Sequence, residues 1–205
     1  KTQLANAMDR LNQFFGAKIH TDKQIFSTSG QTLDLSKPTD LIEFKTKHIS
    51  YIFQEAYSYF NPLKKIKHHF ETFKSNGKDI LAMMESLNLK ENNRILDSYP
   101  HQLSGGQLQR LAIIRSLVRK PSILIADEVD SALDETNAGL VMNLLIRYKA
   151  EMDYALIWIT HDQQKAKEIC NRIWYVENGQ IIYDSNPGSF LTTQIKVLKK
   201  KAPVS

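Results

Sequence analysis

Residues Leu103 to Arg110 read Leu-Ser-Gly-Gly-Gln-Leu-Gln-Arg, and they are the most informative stretch of the chain. Ser104 is a good N-cap residue. The two glycines after it leave backbone N–H groups open to a ligand. A helix N-terminus of this kind attracts phosphate, because its unpaired N–H groups and the helix dipole both favour negative charge. The helix itself is predicted by the apolar residues that recur behind the cap, at Leu108, Leu111, Ala112 and Leu117.

A buried strand that ends in two acids follows this helix. Ser122 to Glu128 reads Ser-Ile-Leu-Ile-Ala-Asp-Glu, and Ala155 to Thr160 is a second apolar run. Continuous apolar runs of this length are typical of parallel strands that are buried on both faces. A phosphate-attracting helix start, a buried strand and the paired carboxylates of Asp127 and Glu128 together predict chemistry on a magnesium nucleotide.

Composition restricts the class of protein. The chain has 205 residues, is 42% hydrophobic and 24% charged, and is long enough for one core with a small subdomain. No apolar run approaches a membrane span, no signal peptide is visible, and a single cysteine excludes an intrachain disulfide framework. The net charge is +5. Because no aromatic residues interleave with the tail lysines, we expect a solvated surface and a loose basic tail rather than a nucleic-acid interface.

The pattern along the chain predicts an α/β fold in which a mostly parallel sheet is flanked by helices, with a helical insertion between about Glu55 and Arg119. The residues around Lys37-Pro38-Thr39-Asp40 and from Lys90 to Pro100 read as loops. The predicted helices are an opening helix to about Gly16, a helical region from Asn61-Pro62 to about Leu89, the helix behind Ser104, and helices at 136–149 and 163–170. The predicted strands are 24–27, 49–54, 123–127 and 155–160, followed by a hairpin of 173–176 and 180–183 that turns at Asn178-Gly179.

Five elements of the chain, in order, resemble those of the ATP-binding subunit of ABC transporters. They are Lys1-Thr2 as the end of the Walker A loop, Gln54 as the Q-loop glutamine, Leu103 to Gln107 as the signature motif, Ile123 to Glu128 as Walker B with its adjacent glutamate, and Ser131 to Asp134 with His161 as the D-loop and switch histidine. Asn61-Pro62 after Gln54, and Tyr99 to Gln102 before the signature, are similar to the branch that imports peptides, nickel and metallophores.

The resemblance implies a P-loop NTPase-like fold. A RecA-like ATPase core would comprise residues 1–54 and 120–185, a helical subdomain with the signature motif would comprise 55–119, and 186–205 would be a basic C-terminal tail.

The resemblance also implies roles for individual residues in binding and hydrolysing ATP. Lys1 would place its charge on the β- and γ-phosphates of ATP. Thr2, Gln54 and Asp127 would hold Mg²⁺. Glu128 would polarise the attacking water, with His161 against the γ-phosphate and Gln54 reporting to a membrane partner.

The signature motif would act on a nucleotide held by the opposite subunit. Ser104, Gly105, Gly106 and Gln107 would grip its γ-phosphate, and Asp134 would lie across the same interface. The implied partners are a second ATPase subunit, identical or related, integral membrane permease subunits and, indirectly, an extracytoplasmic solute-binding protein. The implied location is peripheral, at the cytoplasmic face of the cell membrane.

Two departures from the family pattern lead to expectations. The sequence starts on Lys1, which reads as an N-terminally truncated chain without the glycine-rich front of Walker A, so we expect the 205-residue form to bind ATP weakly. After Glu128 the family usually has Pro and then Thr or Ser, whereas this chain has Val129-Asp130. The extra negative charge of Asp130 is expected to change the rate of hydrolysis more than the type of reaction.

Two other functions remain open from the sequence. One is a soluble ABC-type ATPase of DNA repair or translation. The short interval between Gln54 and Ser104 and the single ATPase module count against this function. The other is a degenerate subunit that does not hydrolyse ATP and contributes only its signature motif. The presence of Glu128 and His161 counts against this second alternative.

Overall fold

The computed structural model describes residues 25–28, 31–53, 55–71, 73, 77–129, 133–152, 154–160, 162, 166–167, 170–177 and 180–185. The chain divides into two compact units, residues 4–159 and Thr160–Ser205, and each is described by itself. The predicted opening helix, most of the predicted helix at 163–170 and the turn at Asn178-Gly179 lie outside the described residues.

A parallel sheet forms the centre of the first unit. Its described strands are β3 (Ile49–Ile52), β4 (Ile123–Asp127) and β5 (Ala155–Ile159), in the order β3-β4-β5. Both pairings are parallel. The predicted α/β fold with a parallel sheet is therefore confirmed.

The two later strands differ in burial, which corrects one expectation. Residues 124–127 of β4 are buried, as predicted, but no residue of β5 is fully buried and Ala155 is exposed. The reason lies in the sheet: within the described part of the chain, β4 is flanked by strands on both sides and β5 by β4 alone.

The faces of β4 contact two different hydrophobic clusters. Leu124 and Ala126 belong to the main hydrophobic cluster, which contains most of the buried apolar residues of the helices. Ile125 lies in a second cluster, whose other members are Leu33, Leu35, Phe44, Ile49 and Tyr51. Since successive side chains of a strand point to opposite faces, Asp127 lies on the same face as Ile125.

An antiparallel pair precedes the sheet. Its strands are β1 (Ile25–Thr28), which confirms the strand predicted at 24–27 within one residue, and β2 (Gln31–Asp34), which the sequence did not predict. The predicted loop at 37–40 is wrong, because helix α1 (Pro38–Glu43) begins there with its proline in the first turn, where the missing N–H costs no hydrogen bond. A π-helix, Phe44–His48, leads from α1 into β3.

The region between β3 and the signature helix is helical but broken into short pieces. The pieces are the 3₁₀ turns Ala56–Tyr59 and Ile66–His69, helix α2 (Gly77–Ser86), helix α3 (Asn92–Asp97) and the 3₁₀ turn Pro100–Gln102. The predicted loop at 90–100 is therefore wrong. The helix forms around the apolar pair Ile95-Leu96, because Ile95 is buried in the main hydrophobic cluster and Leu96 packs against the same cluster.

Two long helices complete the first unit. Helix α4 (Gly105–Val118) starts where the sequence predicts and is buried on all sides behind its first turn, with Leu108, Leu111, Ala112 and Leu117 inaccessible to solvent. Helix α5 (Glu135–Met152) confirms the helix predicted at 136–149 and extends it at both ends. In the described part of the chain, none of the helices combines the length and the apolar character needed to cross a lipid bilayer.

The second unit contains an antiparallel hairpin. Strand β6 (Ile173–Glu177) pairs with β7 (Gln180–Ser185), and the register shifts between Tyr175 and Val176. The predicted hairpin is confirmed, with β7 two residues longer than expected. The division into an ATPase core, a helical subdomain and a basic tail stays a prediction.

Candidate functional site

The two predicted carboxylates lie at the carboxyl end of β4. Asp127 is the last residue of the strand and only 4% exposed. Glu128 follows it with a φ of 47°, and its backbone N–H donates to the carbonyl oxygen of Ile159 at 2.9 Å. A glutamate in this left-handed region is uncommon and costs free energy, so the surrounding structure must hold it there. In open α/β sheets the carboxyl ends of the strands are where ligands bind.

One hydrogen bond fixes the buried carboxylate. The hydroxyl of Tyr51 donates to Oδ2 of Asp127 at 2.9 Å, and both residues are buried. Sequence reasoning placed Tyr51 on a strand and gave it no role. The sequence did contain a signal for this contact, namely a tyrosine in the middle of a strand that ends near the predicted site. A tyrosine at that position can bring its hydroxyl to the edge of the sheet.

The departure from the family pattern after Glu128 is accommodated by the fold. Val129 is completely buried and belongs to the main hydrophobic cluster. Its side chain therefore anchors the chain as it leaves the sheet. Asp130 lies outside the described residues.

The N-terminus of α4 forms the predicted cap. Oγ of Ser104 accepts the Gln107 N–H at 3.2 Å, and Oε1 of Gln107 accepts the Ser104 N–H at 2.9 Å, which is a reciprocal capping box. Both hydrogen bonds are exposed. The N-cap predicted at Ser104 is confirmed.

The two glycines of this cap are not required by the packing of their own chain. A Cβ at Gly105 would meet no atom of the described residues within 4 Å, apart from its chain neighbours and its own helix backbone. Among the same residues, a Cβ at Gly106 would meet only Cδ2 of Leu133, at an ordinary contact distance of 3.6 Å. Crowding within the described part of the chain therefore does not explain glycine at these two positions.

A polar network joins α4 to the start of α5. Oδ1 of Asp134 accepts the Asn137 N–H at 2.9 Å, and its Oδ2 accepts the side-chain amide of Asn137 at 2.6 Å. Nη1 of the buried Arg110 donates to Oδ1 of Asn137. The hydrogen bonds from Asn137 lower the pKa of Asp134, and burial lowers the pKa of Arg110. Asp134 is thus engaged as the N-cap of α5.

The structure brings some of the predicted residues together. Asp127 and Glu128 meet Tyr51 and the end of β5, and Gly106 approaches the segment that carries Asp134. Lys1, Thr2, Gln54 and His161 lie outside the described residues, so their roles stay predictions.

Solved structures define the class of protein. The dimeric structure of a bacterial ABC transporter cassette has a TM-score of 0.71 with this chain, at 25% identity, and the match covers 91% of this chain and 80% of that one. A dimeric post-hydrolysis state of an ATP-binding cassette, bound to ADP and phosphate, also has a TM-score of 0.71, at 23% identity with the same coverage. The fold is that of an ATP-binding cassette, a P-loop NTPase-like α/β domain.

The sequence profile described as "ABC transporter" matches residues 1–131. The chain therefore belongs to the ABC transporter family.

Curated relatives have import functions in their names. A glutathione import ATP-binding protein of Pectobacterium atrosepticum is 32% identical over 200 residues, covering 92% of this chain and 32% of the relative. A metal-staphylopine import system ATP-binding protein of Staphylococcus aureus is 36% identical over 168 residues, covering 78% of this chain and 62% of the relative. A methionine import ATP-binding protein of Streptococcus thermophilus is 31% identical over 205 residues, covering 95% of this chain and 57% of the relative. The chain thus spans less than two thirds of the length of each of these three relatives.

Proposed function

We propose that the protein is the ATP-binding and ATP-hydrolysing subunit of an ABC importer. The observation that carries this proposal is the carboxylate pair at the end of β4, in which Asp127 is buried and hydrogen-bonded while Glu128 is held at positive φ. Strained backbone of this kind clusters at functional sites. Family membership and the names of the relatives support the same function.

The donor chemistry of the site fits magnesium. Mg²⁺ is usually held by one or two carboxylates together with substrate phosphates and water. Asp127 would hold it, with Thr2 and Gln54 as further oxygen donors. The bound ion would neutralise charge on the β- and γ-phosphates.

Glu128 carries the chemical step in this proposal. Its carboxylate follows the buried strand directly and would orient the water that attacks the γ-phosphate and accept its proton. Lys1 would hold the β- and γ-phosphates, and His161 would contact the γ-phosphate. The products are ADP and phosphate.

The open helix start of α4 indicates a shared site. No described residue crowds Gly105 or Gly106, and the capping hydrogen bonds of Ser104 and Gln107 are exposed. We propose that this turn grips the γ-phosphate of ATP held by a second ATPase subunit, with Asp134 beside the same interface. The dimeric state of a similar solved cassette supports this arrangement.

The remaining partners and the cargo follow from the import function. We propose that the protein binds integral membrane permease subunits at the cytoplasmic face of the membrane, and that these subunits receive a peptide, nickel or a metal chelate from an extracytoplasmic solute-binding protein. Relatives named for glutathione and metal-staphylopine import support this range of solutes. Uptake of labelled peptide, labelled nickel and a labelled metal chelate, measured in cells that carry Glu128→Gln in the chromosomal gene, tests the import function. Normal uptake of all three solutes in these cells would contradict the proposed range of solutes.

Hydrolysis is tested in the full-length protein. Glu128→Gln should lower ATP turnover by about 100-fold or more, because an amide cannot accept the proton of the attacking water. The variant should also retain ATP rather than ADP after removal of free nucleotide. Glu135→Gln, an exposed substitution in the first turn of α5, is the matched control and should hydrolyse normally. Unchanged turnover in Glu128→Gln would overturn the role of Glu128.

A further inference from the structure

Tyr51 comes within reach of Asp127 because of the register between two parallel strands. Tyr51 of β3 pairs with Ile125 of β4, and Asp127 lies two residues further along the same face of β4. Side chains of strands lean along the strand direction, so a tyrosine opposite Ile125 can extend its hydroxyl to Asp127. The observed distance of 2.9 Å from the hydroxyl to Oδ2 is that of a good hydrogen bond.

Packing fixes the orientation of this tyrosine. Tyr51 is 7% exposed and lies in the second hydrophobic cluster with Phe44 and Ile49. Its ring contacts the ring of Phe53, with 4.3 Å between the centroids. A phenylalanine would fill the same apolar space. The hydroxyl is therefore the part of the side chain that acts on Asp127 and not on the core.

A donor on one carboxylate oxygen has a directional effect. A carboxylate buried without hydrogen bonds costs free energy, and a charge-assisted hydrogen bond from a fixed hydroxyl holds the plane of the group. Because a carboxylate has two oxygens, a bond to Oδ2 still leaves Asp127 able to act as a ligand. Removing a group that hydrogen-bonds to a metal ligand commonly lowers metal affinity by about tenfold or more.

We propose that Tyr51 is a positioning residue, whose hydroxyl orients the Asp127 carboxylate toward the metal ion of the bound nucleotide. This inference rests on the proposed function, since it needs Asp127 to be a metal ligand. Tyr51 itself touches neither nucleotide nor metal in this role. Loss of the Tyr51 hydroxyl is therefore expected to weaken metal binding while nucleotide binding and folding are retained.

The test uses Mn²⁺ in place of Mg²⁺, because Mn²⁺ binding can be followed by electron paramagnetic resonance. The full-length protein is loaded with a non-hydrolysable ATP analogue, and Mn²⁺ is titrated into the unmutated protein and the Tyr51→Phe variant. The expected result is a Mn²⁺ dissociation constant about tenfold higher in Tyr51→Phe. Affinity for the analogue without metal should be unchanged.

Tyr154→Phe is the matched control. Tyr154 is also buried, and its hydroxyl donates to the carbonyl oxygen of Leu145 at 2.8 Å, so Tyr154→Phe also removes a buried hydrogen bond of a tyrosine hydroxyl. Thermal unfolding shows whether each variant is folded and how much stability it loses. Tyr154→Phe should lose stability while its Mn²⁺ affinity stays that of the unmutated protein.

A further variant, Asp127→Asn, separates the two ways in which the inference can fail. If Asp127→Asn weakens Mn²⁺ binding and Tyr51→Phe does not, the positioning role is overturned while the proposed function stands. If Asp127→Asn binds Mn²⁺ as tightly as the unmutated protein, the role of Asp127 is overturned and that of Tyr51 with it. A fall in Mn²⁺ affinity as large in Tyr154→Phe as in Tyr51→Phe would also overturn the positioning role, because loss of any buried hydroxyl would then suffice.

Discussion

The carboxyl end of β4 and the N-terminus of α4 are the two described parts of the candidate site, and they are built in opposite ways. At the end of β4, Asp127 is buried, Tyr51 binds it, and Glu128 is held in a strained conformation. At the start of α4, the capping hydrogen bonds are exposed, and no described residue crowds Gly105. This difference fits the proposed shared site, in which each chain would complete its own carboxylate half and offer its helix start to the other.

The largest predicted effect is at Glu128, where function and stability should move in opposite directions. Glu128→Gly should lower turnover by about 100-fold or more, because the carboxylate proposed to accept the proton of the attacking water is lost. It should also raise the free energy of unfolding by about 1 kcal/mol, because glycine adopts positive φ without the strain that other residues have there. ATP hydrolysis and thermal unfolding measure the two effects.

Glu128→Ala is the control for this prediction. It removes the same carboxylate but keeps a Cβ, so it should lose turnover and gain no stability. Equal stability of the glycine and alanine variants would contradict the idea that the end of β4 is strained.

The next effect is at the exposed half of the site. Gly105→Ala should lower turnover by about tenfold or more, because a methyl group would enter the space where we propose that the nucleotide of the partner subunit binds. The isolated chain should be unchanged or more stable by up to about 1 kcal/mol, since alanine is the better helix residue and nothing in the described residues crowds it. Steady-state kinetics and thermal unfolding test this prediction.

Gly139→Ala in α5 is the matched control, because this position is also exposed and uncrowded. It should stabilise the chain to a similar extent and hydrolyse ATP normally. Normal turnover in Gly105→Ala would remove the main reason to regard the start of α4 as part of the site.

A smaller effect tests whether the helix start of α4 is tied to α5. A double-mutant cycle of Arg110→Met and Asn137→Ala should give a coupling of about 1–2 kcal/mol in unfolding free energy, because the buried guanidinium donates to Asn137. The exposed pair Arg147 and Glu151, 3.9 Å apart, should couple by less than about 0.5 kcal/mol. Additive effects of Arg110 and Asn137 would show that the network does not join the two helices.

The smallest effect is a pH dependence at Asp134. Hydrogen bonds from the backbone N–H and then the side chain of Asn137 lower the pKa of this carboxyl below its ordinary value of 3.8. A lowered folded-state pKa gives stability that is present above the unfolded-state value and is lost as the pH falls through the folded-state value. Asp134→Asn should therefore reduce the loss of stability on acidification below about pH 4. Chemical denaturation at a series of pH values measures this loss, and an unchanged slope would contradict the prediction.

The sequence predicted those elements whose local pattern agrees with their place in the fold. Strand β4 and helix α4 were predicted because their apolar patterns match their burial, and the cap at Ser104 because capping is a local interaction. Strand β2 was missed because Leu33 is its one apolar residue. Helix α1 was missed because Pro38 was interpreted as a loop signal, whereas the first turn of a helix also favours proline.

The parts of the site that the sequence did not predict depend on contacts between distant residues. Tyr51 and Asp127 are 76 positions apart and meet only through the register of β3 and β4. The positive φ of Glu128 is not a preference of glutamate, and it goes with a hydrogen bond to Ile159, on the neighbouring strand. Residue types and spacing therefore predicted Asp127 and Glu128 as candidate site residues, whereas the groups that hold these two residues in place could be found only in the structure.

One measurement tests the shared site most directly, namely complementation between two inactive variants. Gly105→Glu should fold normally, because a carboxylate is favourable at a helix N-terminus, but it should repel the phosphate held by the partner subunit. Two differently tagged copies, one with Gly105→Glu and one with Glu128→Gln, are expressed together and isolated by tandem purification. We expect the mixed pair to hydrolyse ATP, because one of its two sites combines an intact Glu128 with an intact signature turn. A mixed pair as inactive as either variant alone would contradict it.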